Sequence, residues 1–253
     1  MLKITNYEKG RVVHPRRRRL YATAHRISGI AAVDVWVLEV IDDGPLGVDT
    51  ARAMLGASAT ADRRTIEDQR RSVVARAALT QLVALRTGVD PARVRVTSDE
   101  RGRPLLSGSA LHVSIAHSGD FVACAVSTRP VGVDIERSDR SEADDALAKR
   151  VCTLAERQAL ERLLPSSRTG ALIRLWTRKE AVVKALGVGG ALAFEQLDVS
   201  HNAPRIAGAR ARGLWVRDLR GAPDGYSLAL ATAGRWQRVR ARLVVAGNAS
   251  ATA

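Results

Sequence analysis

The run Val131-Gly132-Val133-Asp134-Ile135-Glu136 leaves a folded chain few options. Side chains alternate along a strand, so Val131, Val133 and Ile135 take one face while Gly132, Asp134 and Glu136 take the other. The aliphatics mark the first as a buried face. Two acids side by side on the second repel each other, which only solvent, a basic partner or a metal ion relieves. Gly132, lacking a side chain, lets a ligand or another backbone approach closely. Two readings stand: an antiparallel strand with a wet acidic face, or part of an oxygen-ligand site for a hard divalent cation.

The stretch from Arg168 to Leu186 bears on that choice. Leu172, Leu175, Trp176, Val182, Val183 and Leu186 recur at helical spacing, and Gly187 follows as a stop, so the pattern predicts a core-packing helix. Glu180 falls at the border of the apolar arc, and Lys184, one turn on, lies along the same side. As a surface ion pair these two would contribute only about 0.2–0.5 kcal/mol. Lys179 falls inside the apolar arc, where a cation must either snorkel along its own stem or meet an anion in a cleft. Of 40 basic residues only five are lysines (Lys3, Lys9, Lys149, Lys179 and Lys184), and two of those are on this helix. An ammonium meets phosphate as a point charge and changes its pKa readily, which a guanidinium does not.

Charge tempts one toward nucleic acid, because the formal net charge is +14. Residues 1–26 hold eight basic residues against Glu8, a net of +7, so half the excess lies in a leader without periodic pattern. Such a run reads as a solvated, flexible arm. The remaining charge suits an anionic partner, whether polyphosphate or acidic protein, by steering. Aromatics at 4% are too few for a base-stacking platform, and nucleic acid is disfavoured. No apolar run approaches a bilayer span and no secretion core opens the chain, so a cytoplasmic protein without a membrane partner is expected. Cys124 and Cys152 are isolated, with no metal-ligand spacing, and read as buried thiols.

Along the chain, Val33–Val40 reads as a first strand and Ile66–Arg86 as a long helix closed by Gly88. Strands follow at Val94–Thr97, Leu111–Ala116 and Phe121–Ser127, joined by turns at Arg101-Gly102 and Ser118-Gly119-Asp120. After the strand Val131–Glu136 come a short helix near Ala143–Arg150, a helix opened by the capping box Thr153-x-x-Glu156, the Trp176 helix, and strands near Gln196–Ser200, Leu214–Leu219, Tyr226–Thr232 and Val239–Val245. The expected class is α+β in two halves of similar size, with the arm at 1–30, an N-terminal half at 31–129, a C-terminal half at 130–246 carrying the metal site, and a tail at 247–253.

Together these residues resemble a known family. The pair GVDIE and WTRKEAVVK, in this order and separation, is similar to the signature of the 4'-phosphopantetheinyl transferases, and the chain length resembles the long, Sfp-type branch. Gly102-Arg103-Pro104 resembles the family's Gly-Lys-Pro turn, and Val113-Ser114-Ile115-Ala116-His117-Ser118 resembles its strand ending in Ser-His-Ser. The resemblance implies two related halves with the cofactor between them, and transfer of the phosphopantetheine arm of coenzyme A to a serine of an acyl or peptidyl carrier protein, releasing adenosine 3',5'-bisphosphate. It implies a magnesium ion (or manganese) on Asp134, Glu136 and Glu180, with Glu180 either a third ligand or the base for the serine, and Lys184 meeting the phosphates. His117 matches the residue that contacts the 3'-phosphate, and Lys179 joins the cofactor set. Arg103 replaces the usual lysine, keeping the charge, and Ala116 replaces the usual serine before the histidine. Arg63, Arg64 and Arg71 are candidates for further phosphate-binding cations, though a solvated helix face explains them equally well. The region from Asp139 to Ser167 matches part of the family's carrier-protein surface, and long members are usually monomers. The carrier, whether of fatty-acid, polyketide or peptide synthesis, is not fixed by these residues.

Two other classes compete. A basic nucleic-acid or membrane-surface binder would work through the arginine-rich arm and need neither Asp134 nor Glu136. A non-catalytic domain that only binds coenzyme A or carrier protein would have no use for Asp134, Glu136, Glu180 and Lys184 together.

Overall fold

Val33, Val35, Trp36, Val37 and Leu38 are all buried, so the first long strand is covered on both faces and must sit inside its sheet. In the computed structural model, which describes residues 3–8, 11–13, 32–44, 46–56, 65–139, 145–234 and 238–245, it does. The elements in order are β1 (Lys3–Glu8), β2 (Arg11–Val13), β3 (Ala32–Glu39), α1 (Val48–Leu55), α2 (Ile66–Thr87), β4 (Val96–Ser98), β5 (Pro104–Leu106), β6 (His112–Ser118), β7 (Phe121–Ser127) and β8 (Val131–Arg137). Then follow α3 (Asp145–Val151), α4 (Leu154–Glu161), α5 (Pro165–Leu186), β9 (Leu197–Asp198), β10 (Arg205–Ile206), β11 (Ala209–Arg210), β12 (Leu214–Asp218), β13 (Tyr226–Ala233) and β14 (Arg238–Val245). Helices and sheets in this mixture make the α+β class.

The chain divides into two compact units, residues 1–128 with 237–253, and residues 129–236. The first contains a six-stranded sheet in the order β2-β1-β14-β3-β7-β6. Within it β14 runs parallel to β3, while β3, β7 and β6 pair antiparallel. The strand read at Val239–Val245 thus belongs to the sheet of the first unit. Residues 3–8 and 11–13, expected within a flexible arm, are strands on β14's other side, which covers an edge that would otherwise offer unpaired backbone groups. The Arg16–Arg19 run and the tail after Val245 lie outside the described residues.

Helix α2 packs its buried face, including Val74, Ala77, Ala78, Leu79 and Leu82, into the core formed with Trp36, Val122 and Cys124. Thr65 caps its start by accepting from the Asp68 amide, and Gly88 ends it in the left-handed conformation at φ 73° that favours glycine. The helix α1 has no counterpart in the sequence reading; its eight residues, of which only Val48 and Ala51 are buried, are too few to establish a period.

The second unit holds a three-stranded antiparallel sheet, order β12-β13-β8, with α5 laid against it, and a smaller sheet in the order β11-β10-β9. Residues Ala181, Val182, Val183 and Ala185 of the helix pack with Leu214, Val216, Ala229 and Ala231 of the strands. The capping box forms as read: the Thr153 hydroxyl accepts from the Glu156 amide and Glu156 accepts from the Thr153 amide. Helix α5 opens with Pro165 in its first turn, where a missing N–H costs nothing, and closes at Gly187 with φ 70°.

Candidate functional site

Gly132 decides how closely α5 meets β8. A Cβ there would collide with the Ala181 carbonyl and the Ala185 amide, so glycine admits the helix backbone directly onto the strand. This overturns the wet-face reading. The face bearing Gly132 and Asp134 is roofed by α5, and Val131 through Ile135 are all buried. The opposite face of aliphatics is buried as expected.

Under that roof Asp134 is 3% exposed and accepts a 2.7 Å hydrogen bond from Lys184 Nζ on its Oδ1. Its Oδ2 is buried without a hydrogen-bond partner. Burial drives the Asp134 carboxyl up to about 7; Lys184 opposes this, and the charges of Glu136 and Glu180 add to it. Glu180 is likewise raised, by burial first and by Glu136, against the pull of Lys184. For Lys184 burial acts downward, yet Asp134, Glu180 and Glu136 outweigh it, and its ammonium is held above the ordinary lysine range. Asp134, Glu180 and Lys184 are thus each shifted by charges in this one cluster. The helix wheel explains why: Glu180 and Lys184, four residues apart, differ by only about 40° around α5, so both turn toward β8. Lys184 thus pairs with Asp134 across the two elements, a contact that a strand pattern and a helix pattern read separately do not give.

Among the described residues no group of three His, Cys, Asp or Glu side chains is drawn together as a metal cage. A buried carboxylate oxygen without a donor, in a set of three acids, nevertheless fits a hard, oxygen-seeking cation.

Lys179 requires a correction. It is 0% exposed and faces no cleft: its Nζ donates to Glu156 Oε2 at 2.5 Å and to the Phe194 carbonyl at 2.9 Å. A fully buried ammonium is tolerated only when paired and hydrogen-bonded, and Glu156 supplies the charge. The signal was Glu156 itself, read only as a capping residue.

The first unit gathers another set. Arg71 donates from Nε to the Gly119 carbonyl at 2.6 Å and from Nη1 to Asp68 at 2.9 Å, tying α2 to the turn that follows His117. Asp68 is held below the usual carboxylate range by the Thr65 hydroxyl, with Arg71 and His117 contributing. Ala116 is buried in the core. Gly102 has φ 78° in the turn before Arg103, whose amide donates to Asp99 Oδ1 at 2.9 Å, and Pro104 begins β5. Burial, together with the nearby Arg103 charge, depresses His112, which stands at the end of β6 opposite to His117 and, five residues away, on the other face. Arg63 and Arg64 lie outside the described residues.

The segment that builds the roofed site has a recognisable kind. Residues 130–231 match the model of the 4'-phosphopantetheinyl transferase superfamily, and the resemblance read from the motifs is borne out. Curated relatives agree. The chain is 31% identical over 134 residues to a 4'-phosphopantetheinyl transferase of Bacillus subtilis, covering 53% of this chain and 59% of that protein. It is 32% identical over 139 residues to the 4'-phosphopantetheinyl transferase HetI of a Nostoc species, 53% and 58% being covered. With the transferase Sfp of Bacillus subtilis strain 168 it shares 27% over 134 residues, again 53% and 59%. The chain thus spans under two thirds of the length of these relatives. A solved structure, holo-[acyl-carrier-protein] synthase of Thermotoga maritima, overlaps 42% of this chain and 63% of that one at a TM-score of 0.33 and 20% identity.

Proposed function

We propose that the protein transfers the 4'-phosphopantetheine arm of coenzyme A to a serine of an apo acyl or peptidyl carrier protein. The observation that carries this is the Asp134, Glu136, Glu180 and Lys184 cluster, lying within the segment that matches the superfamily. The serine Oγ attacks the phosphorus that bears the pantetheine arm. A new O–P bond forms, the bridging P–O bond of the pyrophosphate breaks, and adenosine 3',5'-bisphosphate leaves. Glu180, whose carboxylate is kept basic by its surroundings, takes the serine proton. Lys184, cationic throughout, faces the negative charge that grows on the departing phosphate.

Asp134 and Glu136 would hold a magnesium ion, which when bound would neutralise pyrophosphate charge, while Glu180 beside them keeps its carboxylate for the serine proton. That assignment supplies an acceptor-hungry partner for the unpartnered Asp134 oxygen. In the first unit His117 and Arg103 are proposed to contact cofactor phosphates, while Arg71, already engaged with Gly119 and Asp68, positions the turn beside His117. The test is direct. With coenzyme A, magnesium and an apo carrier protein, the carrier should gain the mass of one phosphopantetheine arm, and adenosine 3',5'-bisphosphate should appear in equal amount. A carrier of unchanged mass after exhaustive incubation with several carrier classes would refute the proposal. Steeply salt-dependent binding to DNA or anionic vesicles, lost with the arginine-rich leader, would instead favour the surface-binding reading.

A further inference from the structure

Three consecutive charges on α5, Arg178, Lys179 and Glu180, point in three directions, since successive residues turn by about 100°. Two of them are cations buried deeper than most aliphatic side chains: Arg178 is 3% exposed and Lys179 is 0% exposed. Arg178 donates from Nε to the Val199 carbonyl at 2.9 Å, from Nη2 to the His201 carbonyl at 3.0 Å, and from Nη1 to Asp218 Oδ2 at 3.1 Å. Lys179 is held by Glu156 and Phe194, and Glu156 in turn accepts from the amides of Thr153 and Val199 at 2.9 Å each. These contacts reach the start of α4, the segment 194–202 and the end of β12. None of them involves Asp134, Glu136, Glu180 or Lys184.

A buried ion pair contributes little net stability compared with well-packed hydrophobic side chains, so the Lys179–Glu156 pair, next to a buried Arg178 that reaches out to the half-exposed Asp218, calls for another account. Both sets of contacts are directional, whereas the packing of small apolar side chains, Ala181, Val182, Val183 and Ala185, against the sheet fixes the helix's rotation and height less sharply. A rotation of one residue's worth would carry Glu180 and Lys184 away from β8. We infer that Arg178 and Lys179 are positioning residues: their hydrogen-bond partners fix the rotation and axial height of α5, and so aim Glu180 and Lys184 at Asp134. This rests on the transfer reading given above and adds to it two residues that touch neither substrate nor cofactor.

The test is the double variant Glu156→Gln with Lys179→Met, which removes both buried charges while keeping side-chain size, beside Arg178→Lys, which keeps the charge but loses the fork. Circular dichroism and melting select conditions in which each is fully folded. Three readouts follow: binding of manganese ion alone by calorimetry, turnover with coenzyme A and apo carrier, and amide exchange along 178–186. Folded double variant should bind manganese at least about tenfold more weakly and turn over at least about tenfold more slowly, the range seen when groups behind a metal ligand are altered. Amides of 180–186 should exchange faster in both variants. A folded double variant with wild-type manganese affinity, turnover and exchange overturns the inference. Should wild-type protein neither bind manganese nor modify a carrier, the transfer reading falls, and the exchange measurement alone decides whether the helix is locked.

Discussion

Asp134 occupies a place that costs a carboxylate its charge unless something answers it. Its pKa when folded, about 7, lies above the ordinary 3.8, so the folded state binds the proton more tightly than the unfolded chain does. In chelator, the stability that this group contributes is therefore full below about pH 4 and is lost as pH rises through about 7, by on the order of a few kcal/mol. Denaturant midpoints across that window check this, and Asp134→Asn should remove most of the slope. Magnesium should do the same if the ion occupies the site. The two cysteines make a simpler case. Burial pushes the Cys124 thiol up to about 12 and the Cys152 thiol up to about 11, so neither should react with a thiol reagent at pH 8 in the folded protein, and both should after unfolding. Their burial was legible, because isolated cysteines in apolar stretches behave as small hydrophobes. Lys179 was legible only as an anomaly. A helical wheel places a cation in the apolar arc, but its partner lies 23 residues earlier, and no periodicity links the two.

At the scale of elements, the meeting of α5 with β8 carries the site, and Gly132 carries that meeting. Gly132→Ala should force the helix off the strand, costing several kcal/mol in stability, on the order of an overpacked core substitution or more, and separating Lys184 from Asp134. Melting and transfer rate should fall together, and a variant with unchanged melting would show that the helix need not approach so closely. The helices α2 and α5 and the strands β3, β7, β8 and β13 were readable because their signals are local: alternation or helical spacing, a hydroxyl cap, a closing glycine. The helix α1 and the two-residue strands β10 and β11 were not, since so few residues cannot establish a period. The pairing of Asp134 with Lys184 was half readable. Each residue announced itself on its own element, but which helix would cover which face depends on tertiary packing.

For the whole molecule, the least legible feature is the destination of β14. Its alternating sequence declares a strand, yet nothing local says that it will run parallel to β3, more than two hundred residues earlier, rather than join β13 beside it in sequence. The side chains show what holds it: Asp34, 9% exposed on β3, accepts from Arg240 of β14 through Nε at 2.5 Å and Nη2 at 3.0 Å, and also from Arg86 of α2. Asp34→Ala would leave the Arg86 and Arg240 guanidinium groups without their shared acceptor, an effect of roughly 1–3 kcal/mol because Arg240 reaches solvent, visible as a lower urea midpoint. Loss of residues 238–253 should be worse, because it removes an internal strand and exposes the edge of β3 to aggregation. The segment matching the superfamily, residues 130–231, falls in the other unit, which holds the three acids and one lysine proposed to perform phosphoryl transfer. The most direct measurement is the initial rate of carrier modification by Asp134→Ala and Glu180→Gln beside wild type, at equal folded concentration with saturating coenzyme A and magnesium. Each rate should fall by at least about a hundredfold, as for groups that act on the reacting centre; variants as fast as wild type would contradict the proposed roles.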